Sequence, residues 1–307
     1  MKKLLLISLA VILLIILSFI LKPSSSTKTL FGIVGYTPVG FPNAGVEEMS
    51  QYFKDINQYS NVYGINSELT EAEQLAALFT RNISKPLILV LGYKDVSSTE
   101  KIINILKENP NVKYLGLGNE VNLIFKEDET LFDSYLANYL SSYDKIKAIN
   151  NHVKIFPVFQ YEALIGKGKI MGGENQSNIE LINRFAKKID LIGLTLYPHF
   201  DYATPQDIPT NYFEDILRFN LPIGVTETSW PSSVNAFSGD LAYLNTTTQE
   251  QKDYVGWINM QDKNKFEFIN WLFLNDIDQN NQAFKGSALR DKNGISKPSF
   301  DEWIKLK

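Results

Sequence analysis

Tyr114-Leu115-Gly116-Leu117-Gly118-Asn119-Glu120-Val121 decides how this chain is expected to fold. Apolar residues with two glycines suit a short strand buried on both faces, and the strand runs out at a carboxylate. Leu221-Pro222-Ile223-Gly224-Val225-Thr226-Glu227 has the same form and leads into Thr228-Ser229-Trp230-Pro231. Two apolar strands, each ending in a glutamate, predict two carboxylates at one rim of a parallel barrel.

Working outward, short apolar runs alternate with longer amphipathic ones. Phe31–Tyr36 reads as the first strand, and Val46, Met49, Tyr52, Phe53 and Ile56 follow at helical spacing. Asn61–Ile65 and Leu87–Leu91 are the second and third strands, and the run ending at Glu120 is the fourth. Val153–Phe159 is the fifth, weakened by Pro157, and Leu191–Leu196 the sixth. The run ending at Glu227 is the seventh and Phe268–Phe273 the eighth. Capping boxes are expected at Thr70/Glu73, Ser97/Glu100, Ser177/Glu180 and Thr248/Gln251, each opening a helix. Eight strands alternating with eight helices predict an α/β chain folded as a (β/α)8 TIM barrel.

Residues 1–28 stand apart. Lys2-Lys3 precede an apolar run from Leu4 to Leu21, and Lys22-Pro23-Ser24-Ser25-Ser26 follows it. This is the pattern of a signal peptide or an uncleaved membrane anchor, eighteen residues being just enough to span a bilayer. The expected product is exported, either secreted or held at the cell surface through that segment, with residues 29–307 as one barrel. No linker divides those residues, and a monomer is expected.

The composition excludes several chemistries. There is no cysteine, so disulfides, thiolate metal sites and thiol nucleophiles are excluded together. His152 and His199 are the only histidines, which argues against a multi-histidine metal centre or a Ser-His-Asp triad. A net charge of −4 gives no basis for a nucleic-acid partner. No metal and no cofactor is implied.

In a parallel barrel the loops after the strands form the active face, so polar residues at strand carboxyl ends are the candidates. Cleavage of a glycosidic bond with retention needs one protonated and one ionised carboxyl, roughly 5–5.5 Å apart. Glu120 is assigned as general acid/base and Glu227 as nucleophile. Asn119 is expected to hydrogen-bond the sugar 2-hydroxyl, and Tyr197 to hold Glu227 ionised through its phenol. Trp230, beside Glu227, and Tyr36, at the first strand's mouth, are candidate carbohydrate contacts. So is Gln160, at the end of strand five. A strand-end position makes Trp271 a candidate sugar platform.

These residues also carry a family resemblance. Gly118-Asn119-Glu120-Val121 and Val225-Thr226-Glu227-Thr228-Ser229-Trp230-Pro231 resemble the signatures of clan A glycoside hydrolases. The second segment is similar to the family 17 β-1,3-glucanases and to the family 53 endo-β-1,4-galactanases. Thr195-Leu196-Tyr197-Pro198 resembles their strand six, and Trp271 resembles the strand-eight tryptophan that floors the substrate site. The tail Leu289–Gly294, followed by Lys297-Pro298, is like their usual ending. The resemblance implies a retaining hydrolase of β-linked oligo- or polysaccharides. It also implies, for many members, an arginine near the nucleophile from an early strand. Here Arg81 is the only arginine before Arg184, and it falls on a predicted helix. That departure keeps open a catalytically silent carbohydrate-binding surface protein, and a transglycosylase is the neighbouring enzymatic reading.

Overall fold

The computed structural model describes residues 28–171, 173–185, 187–233, 241–244, 246–277 and 284–307. The apolar segment Leu4–Leu21 lies outside the described residues. Among those described, no helix is long and apolar enough to cross a membrane.

All strand pairs are parallel and belong to one sheet. In chain order the strands are β1 (Leu30–Val34), β2 (Val62–Ser67), β3 (Leu87–Leu91) and β4 (Val112–Leu117). Then come β5 in two halves (Lys154–Phe156 and Val158–Gln160), β6 (Ile192–Leu196), β7 (Ile223–Thr228) and β8 (Phe266–Leu272). The first half of β5 pairs with β4, and the second half pairs with β6. Between them sits Pro157, which has no N–H to give to a ladder but whose carbonyl accepts from Gly193 N at 3.1 Å. The proline therefore divides the fifth strand between its two neighbours without opening it. With β1 paired to β8, the circle of eight is complete.

Side chains fill the interior. Val62, Ile88, Val90, Tyr114, Phe156, Val158, Leu191 and Phe268 form a packed cluster inside the ring. Below it, Glu267 accepts from Tyr114 Oη at 2.9 Å and pairs with Lys154 at 2.6 Å. The larger core lies between the sheet and the helices. Successive strand residues face opposite sides, so β8 sends Phe268 and Leu272 inward and Trp271 outward.

The helical layer is uneven. Full helices follow β1 (Val46–Tyr59), β2 (Leu69–Asn82), β3 (Thr99–Glu108) and β4 (Glu129–Ile149), and another follows β7 (Thr248–Met260). After β5 and β6 the helical segments among the described residues are short: the turn Tyr161–Leu164 and the 3-10 segments Lys169–Met171 and Ile179–Phe185 after β5, and the 3-10 turns Pro198–Phe200 and Pro205–Asp207 and the turn Glu214–Leu217 after β6. The caps differ from expectation. Leu69–Asn82 opens one residue before Thr70, with its first N–H bonded to Asp95 at 2.9 Å. Thr99–Glu108 has Ser98 as its N-cap with no side-chain bond, and Thr248–Met260 is boxed by Thr247 and Glu250. Gln251 is instead buried, its amide donating to the Trp230 carbonyl at 2.7 Å. The ring is fastened after β8 by Arg290, which pairs with Asp55 of the first helix at 2.5 Å and lies over the Phe300 ring.

Candidate active site

Both glutamates stand at carboxyl ends of strands, on one face of the barrel. Beyond Leu117 the chain turns through Gly118 (φ 97°) and then Glu120 (φ 50°) before entering the short helix Val121–Glu127. Glycine adopts such a φ freely, and a Cβ at Gly118 would meet the Tyr135 ring at 2.7 Å. Glu120 has no such freedom, and a left-handed conformation costs a non-glycine residue about 1–3 kcal/mol. The strain is held by neighbours, since Tyr135 Oη donates to the Leu117 carbonyl at 2.6 Å.

The two carboxyls meet across β6. Thr195 Oγ1 donates to Glu120 Oε1 at 2.7 Å, and Tyr197 Oη donates to Glu227 Oε2. Thr195 and Tyr197 are two residues apart on an extended stretch, so they point the same way and their Cα atoms are about 6–7 Å apart. The charge of Glu120 reaches Glu227, so the two carboxyls lie close enough to interact.

Burial raises both carboxyls above the ordinary range. At Glu227 the charge of Glu120 adds to burial, and the pKa is pushed up to about 7 against hydrogen bonds from Tyr197 and Asn66. Glu120 is raised by burial and partly restored by Thr195. Two interacting carboxyls give up their protons as a pair, the charge of one opposing ionisation of the other. Glu227 receives two donors and Glu120 one, which favours the anion at Glu227 and the proton at Glu120.

Asn119 precedes Glu120 in the turn after β4, and its Oδ1 is buried with no hydrogen-bond partner. Such an acceptor is costly to leave unpaired, and a sugar hydroxyl would satisfy it. Tyr36 is half-buried among Phe41, Tyr52, Phe53 and Phe79, with its hydroxyl also unpartnered. It lies beside a cavity of about 80 Å³ that Asn66 also lines.

Three expected contacts are placed elsewhere. Trp271 is fully buried on the outer face of β8, against Trp303 and Tyr254, with Nε1 donating to the Ser287 carbonyl at 2.8 Å. It is a core residue and offers no face to a sugar. Trp230 is likewise fully buried, between Tyr254 and His199. Gln160 uses both ends of its amide internally, donating to Glu162 at 2.5 Å and accepting from Ala163 N at 2.6 Å. His199 is also fully buried, packed on Phe200, and His152 is exposed in the turn before β5.

Three residues escaped the sequence reading. Asn66, next to last in β2, donates to Glu227 Oε1, so an early strand supplies an amide to that carboxyl. Its signal is a polar residue near the carboxyl end of a strand, but the sequence expectation ends that strand at Ile65 whereas the structure carries it to Ser67. Thr195 is the hydroxyl on Glu120. Glu162 is fully buried and accepts from Tyr197 N at 2.9 Å, Tyr212 Oη at 2.7 Å and Gln160 Nε2. It anchors the backbone of the tyrosine that holds Glu227. Burial pushes its carboxyl up to about 7 against those donors. Among the described residues no cluster of His, Cys, Asp and Glu could hold a metal ion.

This geometry agrees in fold with known proteins. The chain superposes on a glycoside hydrolase family 17 β-1,3-glucanosyltransferase from Rhizomucor miehei with TM-score 0.64 and 17% identity, over 87% of this chain and 95% of that one. An endo-laminarinase from Formosa gives TM-score 0.61 and 13% identity, over 90% and 86%. A β-glucuronidase from an uncultured Clostridium gives 0.61 and 10%, over 91% of this chain. What the chain shares with all three is the fold, a (β/α)8 barrel. The chain spans only 50% of that β-glucuronidase but nearly the whole glucanosyltransferase. No sequence-family profile matches the chain, and no curated protein matches it.

Proposed function

We propose that this chain is a retaining β-glycosidase acting on β-linked oligo- or polysaccharides, of the endo-β-glucanase or galactanase type. The observation that carries the reading is the carboxyl pair. Glu120 and Glu227 hang from neighbouring hydroxyls of one strand, with unequal donor sets that favour opposite protonation states. In the first step a Glu227 oxygen bonds to the anomeric carbon. The bond to the leaving oxygen breaks, and Glu120 gives that oxygen its proton. In the second step water attacks the glycosyl-enzyme, Glu120 takes the water's proton, and the bond to Glu227 breaks. The unpartnered Oδ1 of Asn119 would accept a hydroxyl of the bound sugar.

A sugar hydroxyl can replace water in the second step, which makes the chain a transglycosylase. The glucanosyltransferase among its structural neighbours favours testing that branch. In this reading the segment Leu4–Leu21 exports the barrel, to be secreted or anchored at the cell surface, where it works as a monomer.

Glu227→Ala is the test. It should abolish cleavage of β-glucan or galactan, and azide should restore release of a glycosyl azide of inverted anomeric configuration. Unchanged turnover in that variant would exclude the assignment. Products formed at high acceptor concentration separate hydrolysis from transfer.

A further inference from the structure

Charge is divided unevenly between the two ends of the barrel. The loops that lead into the strands lie at the end opposite Glu120 and Glu227, and they carry Lys28, Lys85, Lys187, Lys263 and Lys265. Lys113 joins them as the second residue of β4. Lys188 and Arg218, in the same loops, are paired with Asp144 and Glu180. By contrast, Lys28, Lys85, Lys113, Lys187 and Lys265 form no ion pair with any described residue, and all but the half-buried Lys85 are exposed. The acidic side chains of those loops, Asp190 and Asp262, are engaged: Asp190 pairs with Lys147 at 2.6 Å, and Asp262 accepts from Asn264 N at 3.0 Å. A chain of net charge −4 thus has one cationic end. The same end is where the chain enters the barrel. Thr29 Oγ1 donates to the carbonyls of Lys263 at 2.5 Å and Phe266 at 2.9 Å, which fixes the start of β1 beside the loop before β8. Lys28 Nζ donates to the Lys307 carbonyl at 3.2 Å, and the charge of Lys85 reaches Lys307. Lys28, Lys85, Lys265 and Lys307 therefore surround the point of entry. Six residues, Lys22 to Thr27, separate that point from the apolar run Leu4–Leu21. Fully extended they reach about 20 Å.

We propose that this cationic end of the barrel docks on an anionic lipid bilayer, the one that Leu4–Leu21 spans in the anchored form of the protein. The inference rests on the anchored branch of the proposed function and is independent of the glycosidase chemistry. Lysines without carboxylate partners reach headgroup phosphates on flexible stems, and each cation held near an anionic surface strengthens the contact about fivefold. A tether this short keeps the lysines near the surface, so individually weak contacts act at high effective concentration. With that end down, the strands stand away from the bilayer and turn Glu120 and Glu227 toward solution, where a glycan can approach.

The chain has no cysteine, so Ser84→Cys at the cationic end and Asn43→Cys at the opposite end can each carry a single fluorescent donor. The full-length protein is placed in vesicles of phosphatidylcholine alone, or of equal parts phosphatidylcholine and phosphatidylglycerol, with an energy acceptor on the headgroups. Transfer from position 84 should exceed transfer from position 43 by more in the mixed vesicles than in phosphatidylcholine. Lys28→Gln, Lys85→Gln and Lys265→Gln together should lower the ratio of docked to undocked protein about 100-fold, which removes that lipid-dependent excess. High salt should remove it from the unsubstituted chain as well. An excess equal in the two lipids, or one that survives neutralisation or high salt, overturns the proposal. Tight binding of polyphosphate with no lipid-dependent excess assigns the end to a soluble polyanion and also overturns it. Should the full-length protein fail to float with phosphatidylcholine vesicles, the anchored reading fails by itself. The surface is then judged by flotation of the same chain with the mixed vesicles. Binding that the triple variant loses supports it, and no binding, or equal binding by the variant, overturns it.

Discussion

Glu227 accepts from Asn66 and Tyr197, and both donors favour its ionised form, whereas burial and the charge of Glu120 favour the neutral one. Asn66→Ala removes one side of that balance. The pKa of Glu227 should rise further, so the acidic limb of the kcat/KM profile should move to higher pH. At the optimum kcat/KM should fall about 10–100-fold, the worth of one hydrogen bond to a charged group. A limb that stays in place, or moves to lower pH, would show that Asn66 does not hold the anion. At this scale the sequence revealed the two carboxylates and Tyr197, because each ends an apolar strand. It misled at Trp271, where Phe266–Leu272 lacks the alternation that would have told inside from outside. The one uncharged polar side chain of that strand, Asn270, is buried toward Gly32 and Gly64, and so marks the inner parity. Glu162 was invisible for a different reason. Its partners Tyr197 and Tyr212 are 35 and 50 residues away, and nothing local distinguishes it from a surface glutamate.

Elements were legible where the hydrophobic period was long. The eight strands and the flanking helices of the first half follow from short apolar runs separated by longer amphipathic ones, but caps shift by a residue where several Thr, Ser and Glu stand together. Thr246-Thr247-Thr248 offers three N-cap candidates, and the box closes on the middle one. The Ser177/Glu180 box opens no α-helix, only the 3-10 segment Ile179–Phe185. Pro157 was read as a weakness and is the point where one strand passes from β4 to β6. That seam is tight. A Cβ at Gly193 would lie 2.5 Å from the Phe156 ring and 2.7 Å from the Pro157 carbonyl oxygen. Backbone on one side and a buried ring on the other leave little room to yield. Gly193→Ala should therefore destabilise the fold by about 1–3 kcal/mol, seen as a lower midpoint of urea unfolding. A shift below about 0.5 kcal/mol would mean that the β5–β6 seam relaxes easily.

For the whole molecule, the buried carboxyl pair costs stability in a pH-dependent way. The pKa of Glu227 is about 7 in the folded protein against a reference value of 4.5. Between those two values the folded state binds more protons than the unfolded state, so stability is lost as pH rises through that window. Above it, the folded protein holds two ionised carboxyls close together at the barrel mouth, and below it neither repulsion nor desolvation of the anion applies. Glu227→Gln keeps the shape and removes the charge. Its amide can accept from Tyr197 and pair with a rotated Asn66 amide, so the two neighbours of Glu227 remain satisfied. The variant should match the wild type near pH 4.5 and melt about 2–4 °C higher at pH 8, the increment expected of roughly 1 kcal/mol in a domain of this size. Glu162 contributes equally to both proteins and cancels in the difference. A melting-temperature gap that does not widen between pH 4.5 and 8 would show that Glu227 is already ionised without penalty in the folded barrel. The pair would then not share the proton on which its chemistry depends.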